Sequence, residues 1–223
     1  MRNEKAKSGL LAIEPARIHR KAFGRRERGG ALIVCEGEFT EPYYLKGLLA
    51  YLNINSASVE IIAGQTRSNA VAVVKRARDR FQQIPRDRVF VVIDGEQADL
   101  SRALQLCKTP VQRVNPRLGQ TEIKIEPIIS FPCFEVWLLL HFRYCDQPFA
   151  AFSDVLPILK SYLTDYAKRD PHIFYKVGAG EGLERAISHA RYLRASRQQT
   201  GGRSPATDMD VLVESLRGIS LSV

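Results

Sequence analysis

The chain has 223 residues, and its 45% hydrophobic content is enough to bury a sizeable core, which excludes a largely disordered protein. Lys and Arg number 33 against 24 Asp and Glu, for a formal net charge of +9. No apolar run approaches the roughly 18 residues that would span a bilayer, so no membrane span is expected.

The charge is concentrated at the start. Residues 1–30 hold nine basic residues, among them Arg20, Lys21, Arg25, Arg26 and Arg28, against three glutamates. The segment reads as a basic arm of the kind that finds the phosphate backbone of DNA or RNA, since neutralising phosphates releases counterions; a solvated tail is the plain alternative. It has no apolar h-region, so no secretory leader is expected and a cytoplasmic location is. Cys35, Cys107, Cys133 and Cys145 lack paired C-x-x-C spacing, which speaks against a zinc ribbon and for reduced, mostly buried thiols.

Residues 31–35 (ALIVC) form a short continuous apolar run, as a strand covered on both faces does. Thr40 suits an N-cap and Pro42 a first turn, so a helix is expected to about Leu52. A second strand follows at 59–63, then a helix to Gln83 capped by Ser68 or Asn69, and a third strand at 88–93. A helix over 98–107 and a fourth strand at 122–129 complete a β-α-β-α-β-α-β order. That order predicts an α/β fold: an open, mainly parallel four-stranded sheet with helices on both faces. Past Pro132 only helices are expected, near 133–142, within 153–168, at 181–195 and at 208–217. The division is thus an arm (1–30), an α/β core (31–132) and a helical C-terminal region packed on it (133–223).

The first strand ends at Glu36, and the third at Asp94, followed by Gly95 and Glu96. Ligands bind open α/β sheets beyond the carboxyl ends of the strands, where the strand order reverses. If the first and third strands are neighbours, Glu36, Asp94 and Glu96 converge there and repel one another unless a cation or protons intervene. Mg²⁺ or Mn²⁺ prefers such oxygens. Helix capping and the turn preference of Asp94-Gly95 are the ordinary alternatives.

The string Ile33-Val34-Cys35-Glu36-Gly37-Glu38-Phe39-Thr40-Glu41-Pro42-Tyr43-Tyr44 resembles the opening motif of the RloB-like family, whose members resemble Abi-type phage-resistance proteins. Val91-Val92-Ile93-Asp94-Gly95-Glu96 and the long block from Ser130 to Phe142 (SFPCFEVWLLLHF) are similar to two further family blocks, with weaker echoes at Tyr175-Lys176 and 204–207. The resemblance implies a Toprim-like core, as in topoisomerases, primases and overcoming-lysogenization-type nucleases. In that core a glutamate follows the first strand and a D-x-D the third. Glu36 and Asp94 match these positions. Glu96 stands for the second aspartate, one methylene longer, and Phe131 replaces a usual Asn. The resemblance also implies a partner ATPase of the AAA or ABC type and a role in anti-phage defence.

Other candidates carry two readings each. Glu41 is either a ligand close to the metal or a complement to its helix dipole. Glu135 lies in an apolar helix, where a carboxylate is costly unless paired, and the family block favours a supporting role near the site. His141 is a satisfied buried histidine rather than a general base. Lys176 is a phosphate contact or a surface lysine. Arg185, Arg191, Arg194, Arg197 and Arg203 would extend an electropositive track from the arm.

Two functions are therefore expected to compete. One is a Mg²⁺-dependent nuclease with Glu36, Asp94 and Glu96 as catalytic metal ligands, acting as the effector subunit of a defence system. The other is a catalytically inactive nucleic-acid-binding scaffold docking on the ATPase. No Gly-rich phosphate loop supports nucleotide sensing. Homo-oligomer formation is left open.

Overall fold

The computed structural model describes residues 30–66, 68–115, 119–202 and 204–220. Arg20, Lys21, Arg25, Arg26, Arg28 and Arg203 lie outside the described residues.

Strands β1 (Ala31–Cys35), β2 (Val59–Ile62) and β3 (Arg88–Asp94) alternate with helices α1 (Thr40–Tyr51) and α2 (Ala70–Gln83). Helix α3 (Leu100–Lys108), a hairpin of β4 (Val111–Asn115) and β5 (Gly119–Ile123), and β6 (Ile125–Phe131) follow. The C-terminal part holds α4 (Glu135–Leu140), α5 (Phe152–Tyr162), α6 (Ile173–Lys176), α7 (Glu181–Thr200), β7 (Ala206–Thr207) and α8 (Met209–Ser220).

The main sheet runs β2-β1-β3-β6-β7, the first four strands parallel and β7 antiparallel to β6. It has five strands where four were expected. Two residues suffice for β7, because its backbone pairs with Ser130 and Phe131 and the Thr207 and Ser130 hydroxyls bond at 2.7 Å. So short a strand leaves no period in the sequence. The strand expected at 122–129 is two strands, β5 turning away to pair with β4 before β6 enters the main sheet. The alternation of EIKIEPII runs unbroken across that boundary and conceals it.

The pleat sorts side chains onto two cores. Leu32, Val34, Val89, Val91 and Ile93 face α2 and α3. Ala31, Ile33, Cys35, Phe90 and Val92 face the other way, in one cluster with Tyr44 and Leu48 of α1, Trp137 of α4, and Leu212 and Leu216 of α8. The C-terminal helices thus share a core with α1. All four cysteines are free and buried. Among the described residues, no helix is long and apolar enough to cross a membrane.

Two caps differ in informative ways. Phe39, not Thr40, precedes α1, and the Thr40 hydroxyl instead donates to the Lys168 carbonyl at 3.1 Å. Asn69 caps α2 by accepting the Ala72 N–H, while Asp99 accepts those of Ala70 and Val71.

Candidate functional site

β1 and β3 are neighbours, with Cys35 in register with Val92, and β2 and β6 flank them on opposite sides. The crevice where strand order reverses therefore opens beyond Glu36 and Asp94, where α/β sheets place ligands. Glu36 Oε2 accepts the Asp94 N–H at 3.1 Å, and its other oxygen accepts from the Gln97 side-chain amide. Asp94 Oδ1 accepts the Phe134 N–H at 2.9 Å, tying the end of β3 to the entry of α4.

Two further carboxylates complete the crevice. Glu41, in the first turn of α1 and 6% exposed, accepts the Gly37 N–H at 3.0 Å. A side chain at Gly37 would forbid this, since its Cβ would lie 1.8 Å from Glu41 Oε2. Glu135 opens α4, is 4% exposed, and accepts the Tyr166 hydroxyl at 2.6 Å. Glu36, Glu41, Asp94 and Glu135 line one cavity of about 330 Å³, together with Gln65, Thr66 and Ser68 of the β2–α2 loop and Lys168. Gly64 holds that loop in place. Its N–H donates to the Gly37 carbonyl at 2.8 Å, and a Cβ there would meet the Glu36 carbonyl oxygen.

The electrostatics follow from burial. Desolvation pushes Glu36 up to about 7, against the Asp94 N–H and with repulsion from Glu41, Asp99 and Glu96. Glu41 is likewise pushed up to about 7 by burial, its backbone bonds opposing and Glu135 adding repulsion. Asp94 is raised well above the ordinary aspartate range by burial and then by Glu41, Glu135 and Glu36. These carboxyls feel one another's charge. Metal-free, they favour protons.

The donor set is hard oxygen throughout, which suits Mg²⁺ or Mn²⁺ rather than a soft metal. Among the described residues, no group of three or more His, Cys, Asp or Glu side chains stands ready-made to hold an ion. Glu36, Asp94 and Glu41 are cavity-lining carboxylates that could hold one.

Of the residues singled out by sequence, Glu36, Asp94, Glu41 and Glu135 are brought together. Glu96 is exposed and outside the cavity lining, and its N–H is bonded to the Pro132 carbonyl at 3.1 Å. Lys176 is also outside the lining, paired with Asp165 and, at 2.6 Å, with Asp170. His141 is fully buried, its Nε2 is 3.0 Å from the Tyr44 hydroxyl, and burial lowers it to about 3, so it is neutral. Sequence reasoning missed Lys168, Tyr166, Ser68 and Gln97. Tyr166 and Lys168 lie in a stretch assigned to helix, whereas α5 stops at Tyr162. The Lys168-Arg169-Asp170-Pro171 run was the available sign of a charged loop there.

A family model described as RloB-like protein matches residues 31–216. No curated protein and no solved structure matches the chain.

Proposed function

Because the chain belongs to the RloB-like family, and because its acidic residues gather beyond the ends of β1 and β3, we propose that it is a metal-dependent nuclease with a Toprim-like core. The observation that carries this reading is the junction of Glu36 and Asp94 in a cavity where burial destabilises Glu36, Glu41 and Asp94 as anions. A divalent cation would remove that penalty, and when bound it supplies an activated water and charge neutralisation at a phosphodiester. Glu36 and Asp94 would hold it, Glu41 would stand behind them, and Glu96 would complete the acid-x-acid pattern from the solvent side. Glu41, titrating near 7, is suited to hold or release a proton at neutral pH. The Tyr166 hydroxyl holds Glu135, a residue of the cavity lining, through a hydrogen bond.

The family resemblance further supports an effector subunit of an anti-phage defence system, of the Abi type, paired with an AAA or ABC ATPase. The basic arm, with Arg20, Lys21, Arg25, Arg26 and Arg28, would hold a DNA or RNA backbone. A second reading, a catalytically inactive scaffold that presents nucleic acid to the ATPase, is favoured by one observation: Glu96 stands outside the cavity that Glu36 and Asp94 line.

Calorimetric titration with Mn²⁺ on wild type and Asp94→Asn separates the two. Binding in the wild type that is lost in the variant is expected. No binding at millimolar Mn²⁺ overturns the nuclease reading and brings the scaffold forward.

A further inference from the structure

We infer that Lys168 receives the substrate phosphate at the acidic cavity, a role the sequence offered to Lys176. The inference rests on the metal-dependent reading above and concerns the same site. Among the described residues, Lys168 is the one lysine or arginine that lines the cavity. Its ammonium lies 3.9 Å from Glu135 Oε1 and 4.1 Å from the centre of the Phe152 ring. At that separation the contact with Glu135 is longer than a hydrogen bond, so its donors are not spent on the carboxylate. The side chain is 59% exposed, so a ligand entering from solvent can reach it.

The backbone that carries it is fixed from three sides. The Thr40 hydroxyl donates to the Lys168 carbonyl, Tyr166 donates to Glu135, and Lys176 pairs with Asp165 and Asp170 on either side of the segment. Lys176 thus positions the loop, while Lys168 reaches the cavity lining. Beside it, the Arg169 guanidinium rests on Phe39, another cavity residue, at 4.4 Å from the ring centre. Lys168 lies at ion-pair distance from Glu135, and its charge also acts on Glu41, so it brings positive charge to the edge of the acidic cluster. An ammonium lining a carboxylate cavity, on a side chain more than half exposed, matches a phosphate ester whose other oxygens meet the metal.

The test uses the full chain, Mn²⁺, and two probes, a thymidine and a uridine dinucleotide, which separate deoxyribose from ribose esters. Mn²⁺ binding is read by calorimetry. Ester binding is read by the Mn²⁺-induced relaxation of the probe's ³¹P signal, which responds only to phosphorus close to the ion and so is blind to esters on the basic arm. Lys168→Ala should keep Mn²⁺ binding while ester affinity falls about tenfold, the scale of one lost charge-assisted hydrogen bond. Lys168→Arg should restore it, and Lys160→Ala, on α5 outside the cavity lining, should leave it unchanged. Lys168→Gln, which keeps most of the stem over Phe152, replaces the alanine variant if that fails to fold. Undiminished ester binding in Lys168→Ala, with or without tighter Mn²⁺ binding, overturns the proposal alone. A wild type that binds no Mn²⁺ overturns the metal reading and this inference with it.

Discussion

The backbone N–H of Asp94 donates to the carboxylate of Glu36 at 3.1 Å, so the acidic residues that end two neighbouring strands are joined directly. Sheet register sets this bond: Cys35 lies opposite Val92, and the chains continue one and two residues further to the two acids. The bond favours the Glu36 anion, yet burial and the neighbouring carboxylates outweigh it. The pair is held together mechanically and driven apart electrostatically, which is the condition a divalent cation relieves.

That conflict has a measurable pH signature. Glu36 and Glu41 both titrate near 7 in the folded protein, above the ordinary 4.5. A carboxyl with a raised folded value keeps its proton to higher pH than the unfolded chain does. Its contribution to stability is therefore complete below the unfolded value and is lost as pH rises through 7. In EDTA, the Tm of the wild type should fall relative to that of Glu41→Gln between pH 4.5 and 7, and saturating Mg²⁺ should reduce the fall. Thermal unfolding of both proteins across pH 4 to 8 checks this, and a wild-type Tm that climbs relative to the variant through that window contradicts it.

Asp94 separates charge from structure. Asp94→Asn keeps an oxygen for the Phe134 N–H and removes a buried anion, so its stability should match or exceed that of the wild type in EDTA. Asp94→Ala leaves that N–H without its acceptor and should cost about 1–3 kcal/mol. Urea unfolding of the two variants decides the matter, and equal destabilisation would show that the charge, not the bond, holds the strand end.

The strands β1 and β3 were legible because continuous apolar runs mark parallel strands covered on both faces, and Glu36 and Asp94 follow from where those runs stop. Their adjacency was a condition in the sequence and is a finding in the structure. Glu41 and Glu135 were visible as anomalies, a carboxylate in a first turn and another among Val136, Trp137 and Leu138. That both enter the same cavity as Glu36 depends on α4 packing on the face that α1 covers, which no local pattern encodes. Lys168 was hidden for a different reason. Helical periodicity continues past Tyr162 although the helix does not, and an exposed lysine has no pattern of its own. The hairpin β4–β5 escaped because Val114 is 76% exposed, so its alternation buries little.

Gly64 couples the β2–α2 loop to the acidic site. Alanine there would place its Cβ 1.6 Å from the Glu36 carbonyl oxygen, a backbone atom that cannot rotate away. Gly64→Ala should therefore cost about 2 kcal/mol or more and weaken Mn²⁺ binding as the Glu36–Gly37 segment shifts. Gly218→Ala in α8, where a Cβ meets nothing within 4 Å, should instead stabilise by about 0.5–1 kcal/mol. Urea midpoints and Mn²⁺ titrations of the two variants test the contrast, which fails if Gly64→Ala is as well tolerated as Gly218→Ala.

The Tyr166–Glu135 bond answers how a carboxylate 4% exposed is tolerated at the start of an apolar helix. The phenol donates to it at 2.6 Å, with the Cys133 thiol also bonded to it and the Lys168 ammonium at 3.9 Å. Tyr166→Phe removes the donor and leaves the buried carboxylate underpaired, at a cost of about 1–3 kcal/mol. Glu135→Gln keeps an oxygen for the phenol and lifts the desolvation cost of the charge, so alone it should cost less. In the Glu135→Gln background, Tyr166→Phe should then cost less than it does in the wild type, because the orphaned group is no longer an anion. A double-mutant cycle by urea unfolding measures that coupling. Strict additivity would mean that Tyr166 serves the fold through its ring and not through the carboxylate, and that the cavity wall beside Lys168 is held by packing alone.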